Sequence, residues 1–329
     1  MNFILLFAGL AVIIRSADVL IDSASEIARQ YGVSAFVIGI TVIAFGTSAP
    51  ELAVGLMSAA NKTNQLALGN IIGSSFVNTA LIVGMAAAIF PLAVKDSVAK
   101  REIPMLIAVQ CILGFMILGD GRLTRSEGGV LLAGFAGFIA YIIINSKKSL
   151  KVSAEAEGGS GTDGSGNTSE DSTGTKKESS LMKLWIFSII SLAGLFAGGK
   201  LAVDSSTRIA ADFRLSETVI GLTVVAVATT LPELITSLMA VKKKEPDIVL
   251  GNCVGSNLFN ILLVLGLSAL VNPIAVQGNM TLDVIVMILL TVIVFIIALL
   301  AKRIPRLYGI ALMLSYIVYI SFKVITVLS

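Results

Sequence analysis

The chain has 329 residues, 56% hydrophobic and 14% charged, with 24 Lys and Arg against 21 Asp and Glu, a formal net charge of +3 and a mean hydropathy of +0.93. That composition excludes an ordinary water-soluble domain and places the chain in a lipid bilayer. Histidine is absent, which removes the Ser/His dyad, the HExxH zinc site and histidine proton relays, so no enzyme is expected.

The long apolar runs lack the two-residue alternation of barrel strands, so each reads as a helix. In chain order they fall near 2–28, 33–60, 66–91, 102–119 and 124–146, then 182–211, 216–242, 247–271, 281–301 and 306–326. The expected fold is therefore an all-α polytopic membrane protein with ten transmembrane helices. The first run carries Arg15 and Asp18 and no small-residue cleavage pattern, so it reads as a mature helix and not a signal peptide. Cys111 and Cys253 fall within spans, one in each half, and are expected as free buried thiols.

Three regions follow: a first five-helix repeat at 1–146, a disordered acidic cytoplasmic linker at 147–181, and a second five-helix repeat at 182–329. The linker is poor in apolar residues and rich in Gly, Ser, Thr and acid, so it cannot bury enough surface to fold. With the N-terminus outside, the inner connections hold sixteen Lys and Arg and the outer ones five. The positive-inside bias then puts both termini outside and the linker in the cytoplasm of a multi-pass cell-membrane protein. The small positive charge is topological, and no nucleic-acid partner is expected.

The halves repeat. Adding 182 carries Gly39, Thr41, Thr47, Pro50 and Glu51 onto Gly221, Thr223, Thr229, Pro232 and Glu233, and Gly69, Asn70, Gly73, Ser74 and Asn78 onto Gly251, Asn252, Gly255, Ser256 and Asn260. Without a gap, 19 of the 46 positions from 39 to 84 are identical to their mates. Five spans per half is an odd number, so the second copy must enter the membrane from the opposite side. That is an inverted repeat, the build of secondary transporters.

Pro50 and Pro232 remove a backbone donor in mid-span, and the Gly46-Thr47-Ser48 and Ala228-Thr229-Thr230 stretches before them favour a break. Each proline then opens a second half-helix, where its missing N–H costs nothing. Helices 2, 3, 7 and 8 are expected to be broken. Beside the prolines, Glu51 and Glu233 place carboxylates at membrane depth, a cost that a cation between them would relieve. With the oxygens of Thr47 and Thr229 and water they suit a hard cation such as Ca2+, and two carboxylates balance one divalent charge. The Gly69/Gly73 and Gly251/Gly255 spacing suits close helix packing, with Asn70 and Asn252 as interhelical glue. Ser74, Asn78, Ser256 and Asn260 stand four apart on one helix face and offer neutral oxygens to monovalent ions.

At these motifs, Gly46-Thr47-Ser48-Ala49-Pro50-Glu51 with Gly69-Asn70-Ile71-Ile72-Gly73-Ser74-Ser75, and their mates from Ala228 and Gly251, the chain resembles the sodium/calcium exchanger branch of the calcium/cation antiporter superfamily. The resemblance implies a Ca2+ site of Glu51, Glu233, Thr47 and Thr229. It implies Na+ sites from these glutamates with Ser48, Thr230, Ser74, Ser256 and the carbonyls of Ala44 and Ala226, with Asn78 and Asn260 at the centre. It further implies that the first helix of each half slides against the other eight. The expected partners are thus Ca2+ and Na+ as transported ions and the lipid bilayer, for a monomer with no cofactor. Ser75 departs from the motif's Asn and Ala228 from its Gly, and neutral Asn260 stands where potassium-dependent relatives carry Asp. Protons could neutralise the same two glutamates, so an H+/Ca2+ exchanger stays open, with a cation channel as a further alternative.

Overall fold

The computed structural model describes residues 2–61, 64–119, 121–158, 173–212, 225–276 and 280–328. Gly221 and Thr223 of the repeat and residues 159–172 of the expected linker lie outside these. The described chain is helical almost throughout: α1 (Asn2–Gln30), α2 (Ala35–Thr47), α3 (Ala49–Ala60), α4 (Leu66–Ile89), α5 (Val98–Gly119), α6 (Arg125–Gly158), α7 (Thr173–Asp212), α8 (Ala226–Thr229), α9 (Leu231–Lys242), α10 (Pro246–Val271), α11 (Thr281–Ala301) and α12 (Arg306–Leu328). Among the described residues, 7 helices are long and apolar enough to cross a membrane, or 8 if α2 and α3 form one bent span.

The proline rule holds where it was applied. α2 and α3 meet at Ser48 with a bend of 44°, and Pro50 sits in the first turn of α3. Ser48 adopts φ −79°, ψ 6°, and its mate Thr230, between α8 and α9, adopts φ −85°, ψ 1°. Helices 3 and 8 differ from expectation. α4 and α10 run unbroken, because neither has a proline in its interior, and each absorbs its Gly/Asn/Ser motif with a π-helical turn, at Val77–Ile82 and Asn260–Leu265. The expected linker also begins and ends in helix, since α6 reaches Gly158 and α7 starts at Thr173. Extending a helix already formed by a membrane span is far easier than nucleating one.

The two halves interlock through matched contacts. Strand β1 (Leu92–Ala93) pairs antiparallel with β4 (Arg303–Ile304), and β2 (Arg122–Leu123) with β3 (Ile274–Ala275). A shift of 182 carries β1 onto β3 and a shift of 181 carries β2 onto β4, so the two ladders exchange. The helices above them behave alike. A Cβ on Gly84 of α4 would stand 2.8 Å from the carbonyl of Gly309 in α12, and one on Gly128 of α6 would stand 2.8 Å from that of Gly266 in α10. α1 and α7 form a pair of their own, joined by a bond from Ser188 Oγ to Ser23 Oγ at 2.9 Å.

Large apolar side chains face outward, Phe115 at 82% exposure and Leu300 at 78%, as a lipid-facing surface requires. Cys111 lies on that surface, contrary to the expected burial, because its face of α5 carries only apolar neighbours, and Cys253 is buried. The interior combines an apolar core with buried polar residues such as Glu51, Asn78, Glu233 and Asn260.

Candidate functional site

The two helix breaks face one another across α7. A Cβ at Gly199 would lie 3.0 Å from Pro50 Cγ and 3.2 Å from Pro232 Cγ, so both half-helices start against the same small residue. Glu51 and Glu233 occupy the first turns of α3 and α9, where free N–H groups and the helix dipole favour negative charge. Both are 0% exposed.

Each carboxylate is served by both halves. Glu51 Oε1 accepts from Ser74 Oγ at 3.3 Å and from Thr230 Oγ1 at 3.5 Å, and the Thr229 hydroxyl also faces it. Glu233 Oε1 accepts from Ser256 Oγ at 3.3 Å and from Ser48 Oγ at 3.1 Å, and the Thr47 hydroxyl faces it. These contacts exchange under the shift of 182. So do the bonds from Thr47 Oγ1 to Asn252 Oδ1 and from Thr229 Oγ1 to Asn70 Oδ1, both at 3.1 Å.

Four buried side-chain oxygens here have no hydrogen-bond partner: Glu51 Oε2, Glu233 Oε2, Asn78 Oδ1 and Asn260 Oδ1. An unpaired buried polar atom is costly, and oxygens of this kind are the ligands that a hard cation takes. The structure therefore gathers Glu51 with Ser74 and Thr230, and Glu233 with Ser256, Ser48 and Thr47, into two matched hydrogen-bonded groups, with Thr229 held beside them by Asn70. It buries Asn78 and Asn260 one turn beyond Ser74 and Ser256. The carbonyls of Ala44 and Ala226 are engaged within their own helices: Ala44 O accepts Ser48 N–H at 3.0 Å, and Ala226 O accepts Thr230 Oγ1 at 2.6 Å.

Three supporting residues were not singled out from the sequence. Ser237 Oγ lies 3.2 Å from Asn252 Nδ2, while Asn257 bonds both to Thr79 and to Asn78. Asn70 and Asn252 are interhelical glue as expected, but what they hold is the pair of threonines beside the carboxylates. Away from the cluster, Arg15 pairs locally with Asp18 at 3.1 Å, and Lys243 grips both Asp18 and Asp22 of α1 at 2.7 and 2.6 Å.

Helices long enough to span a bilayer, enclosing paired carboxylates among hydroxyls at two proline breaks, define a polytopic membrane transporter that handles cations. The chain belongs to the sodium/calcium exchanger family: the profile of that family, described as "Sodium/calcium exchanger protein", matches residues 1–144 and 183–325. It is 37% identical over 269 residues to the inner membrane protein YrbG of Escherichia coli K12, covering 82% of this chain and 79% of that one. It is 30% identical over 347 residues to the sodium/calcium exchanger MaX1 of Methanosarcina acetivorans, covering 97% of both. Among solved structures it resembles the sodium-calcium exchanger NCX_Mj, with a TM-score of 0.79, 28% identity and 97% of each chain covered. The chain is a transporter of the cation/Ca2+ antiport class and not an enzyme.

Proposed function

We propose that this protein exchanges Na+ for Ca2+ across the cell membrane by alternating access at a site centred on Glu51 and Glu233. The observation that carries the reading is the exchange of contacts around the carboxylates. Each glutamate has one oxygen held by hydroxyls from both halves and one oxygen left unpaired. Bound Ca2+ would balance both negative charges and be coordinated through these oxygens with Thr47 and Thr229. Without it, two carboxylates would stand unbalanced in a low-dielectric interior while access switches, which penalises movement of the empty protein and makes exchange obligatory. Neutral oxygens of Ser48, Ser74, Asn78, Thr230, Ser256 and Asn260, with the carbonyls of Ala44 and Ala226, provide the shell that Na+ needs and a proton does not.

The architecture proposed for this cycle is ten transmembrane helices in two inverted repeats of five, working as a monomer with both termini outside and the linker cytoplasmic. Its support is the exchange of the β1–β4 and β3–β2 ladders and of the Gly84–Gly309 and Gly266–Gly128 crossings, each of which joins one half to the other. Glu51→Gln and Glu233→Gln test the site. Each is expected to fold, by thermal unfolding in detergent, and to lose Ca2+ transport; uptake at the wild-type rate in either one rejects the site.

A further inference from the structure

The halves of the site are not identical, and one difference falls in the second motif. After its second glycine the motif reads Ser74-Ser75 in the first half and Ser256-Asn257 in the second. Asn257, 1% exposed, uses both ends of its amide on α4: its Oδ1 accepts from Asn78 Nδ2 at 2.9 Å, and its Nδ2 donates to Thr79 Oγ1 at 3.2 Å. A side-chain amide has one carbonyl and one NH2 group, so the orientation of Asn257 determines that of Asn78: with the Asn257 carbonyl facing Asn78, Asn78 must present its NH2. Thr79 takes the NH2 of Asn257, the Asn257 carbonyl takes the NH2 of Asn78, and Asn78 Oδ1 is the atom left over.

The first half cannot reproduce this. Ser75 is shorter, and its hydroxyl bonds back to Ile71 O at 3.0 Å. Asn260, the mate of Asn78, is left with neither amide atom paired.

We propose that Asn257 is a positioning residue that keeps the Asn78 amide oxygen free for a transported cation, so that the site has one fixed amide ligand, Asn78, and one rotatable amide, Asn260. The inference rests on the two-glutamate reading above and assigns unequal roles to its two asparagines. A ligand oriented in advance by its neighbours loses less freedom on binding, and removing such a neighbour weakens affinity while leaving the ligand in place.

The test is ⁴⁵Ca2+ uptake by the full-length protein in Na+-loaded proteoliposomes, with external Ca2+ varied. Asn257→Ser, which copies the first half, and Thr79→Val, which frees the Asn257 amide, are each expected to raise half-saturating Ca2+ about tenfold. The maximal rate should stay unchanged, and Asn257→Ser should add nothing to Asn78→Ala. Wild-type half-saturation in both variants, or independent effects of Asn257→Ser and Asn78→Ala, overturns the proposal. Should Asn257→Ser not fold, Thr79→Val decides alone. Failure of the two-glutamate reading looks different: Glu51→Gln would then keep its uptake, whereas failure of this inference alone leaves Glu51→Gln inactive beside wild-type-like Asn257→Ser and Thr79→Val.

Discussion

Ser48, at the helix break of the first half, donates its hydroxyl proton to Glu233 of the second half at 3.1 Å and not to Glu51, three residues along its own chain. Its mate Thr230 reaches back to Glu51. The carboxylates are thus held crosswise, and neither half completes its own site. Ser48→Ala should leave Glu233 with Ser256 as its remaining hydroxyl bond and raise half-saturating Ca2+ about tenfold or more, as loss of a hydrogen bond to a charged group does. Uptake titrations against Ca2+ measure this directly.

Thr229→Val removes a hydroxyl while keeping the side chain's shape. Asn70 Oδ1 then loses its donor, and its Nδ2 already lacks a partner, so a buried amide is stranded. The cost should be about 1–3 kcal/mol of stability in addition to weakened transport. Thermal unfolding of the purified protein reads the first effect, and uptake the second.

The crossing of α2 over α10 leaves no room for a methyl group. A Cβ on Gly251 would stand 2.5 Å from Phe36 O and 2.9 Å from Ile40 N, backbone atoms that cannot swing aside. Gly251→Ala should destabilise by about 1–3 kcal/mol. At Gly129 a Cβ meets nothing within 4 Å, and Gly129→Ala should be neutral or gain up to about 1 kcal/mol from helix propensity. Comparing the unfolding midpoints of the two variants separates packing from propensity.

Lys243, in the turn after α9, ties that helix to Asp18 and Asp22 of α1. Burial opposes its charge, but bonds to Asp18 and Asp22 outweigh it and hold the ammonium above the usual lysine value of 10.5. Because its folded value is raised, its contribution is complete at neutral pH and is lost only as pH rises through that raised value. Lys243→Met should lower stability by no more than about 1 kcal/mol, since Asp22 is 70% exposed and the pair is screened by water. Unfolding midpoints in low and high salt should converge for wild type and variant.

Much of this was legible in the sequence, and the residues explain where legibility stopped. The offset of 182 found the prolines, glutamates, threonines and serines, because a proline break at membrane depth needs the same neighbours wherever it occurs. Which hydroxyl serves which carboxylate was not legible. Ser48 lies three residues from Glu51, yet the crossing of the half-helices takes it to Glu233. The π turns that replace the expected breaks in α4 and α10 depend on packing and leave no single-residue signal. Asn257 showed only as a mismatch with Ser75, and its role appears once Thr79 and Asn78 are seen on the facing helix. The two-residue ladders at the helix connections are too short to have a periodicity.

The most direct test is ⁴⁵Ca2+ uptake into proteoliposomes loaded with Na+ and then with K+, each with and without an imposed pH gradient. A Na+/Ca2+ exchanger should show uptake that requires internal Na+, fails with K+ and ignores the pH gradient. Uptake that follows the proton gradient without Na+ would contradict that reading, leaving an H+/Ca2+ exchanger built on the same two glutamates.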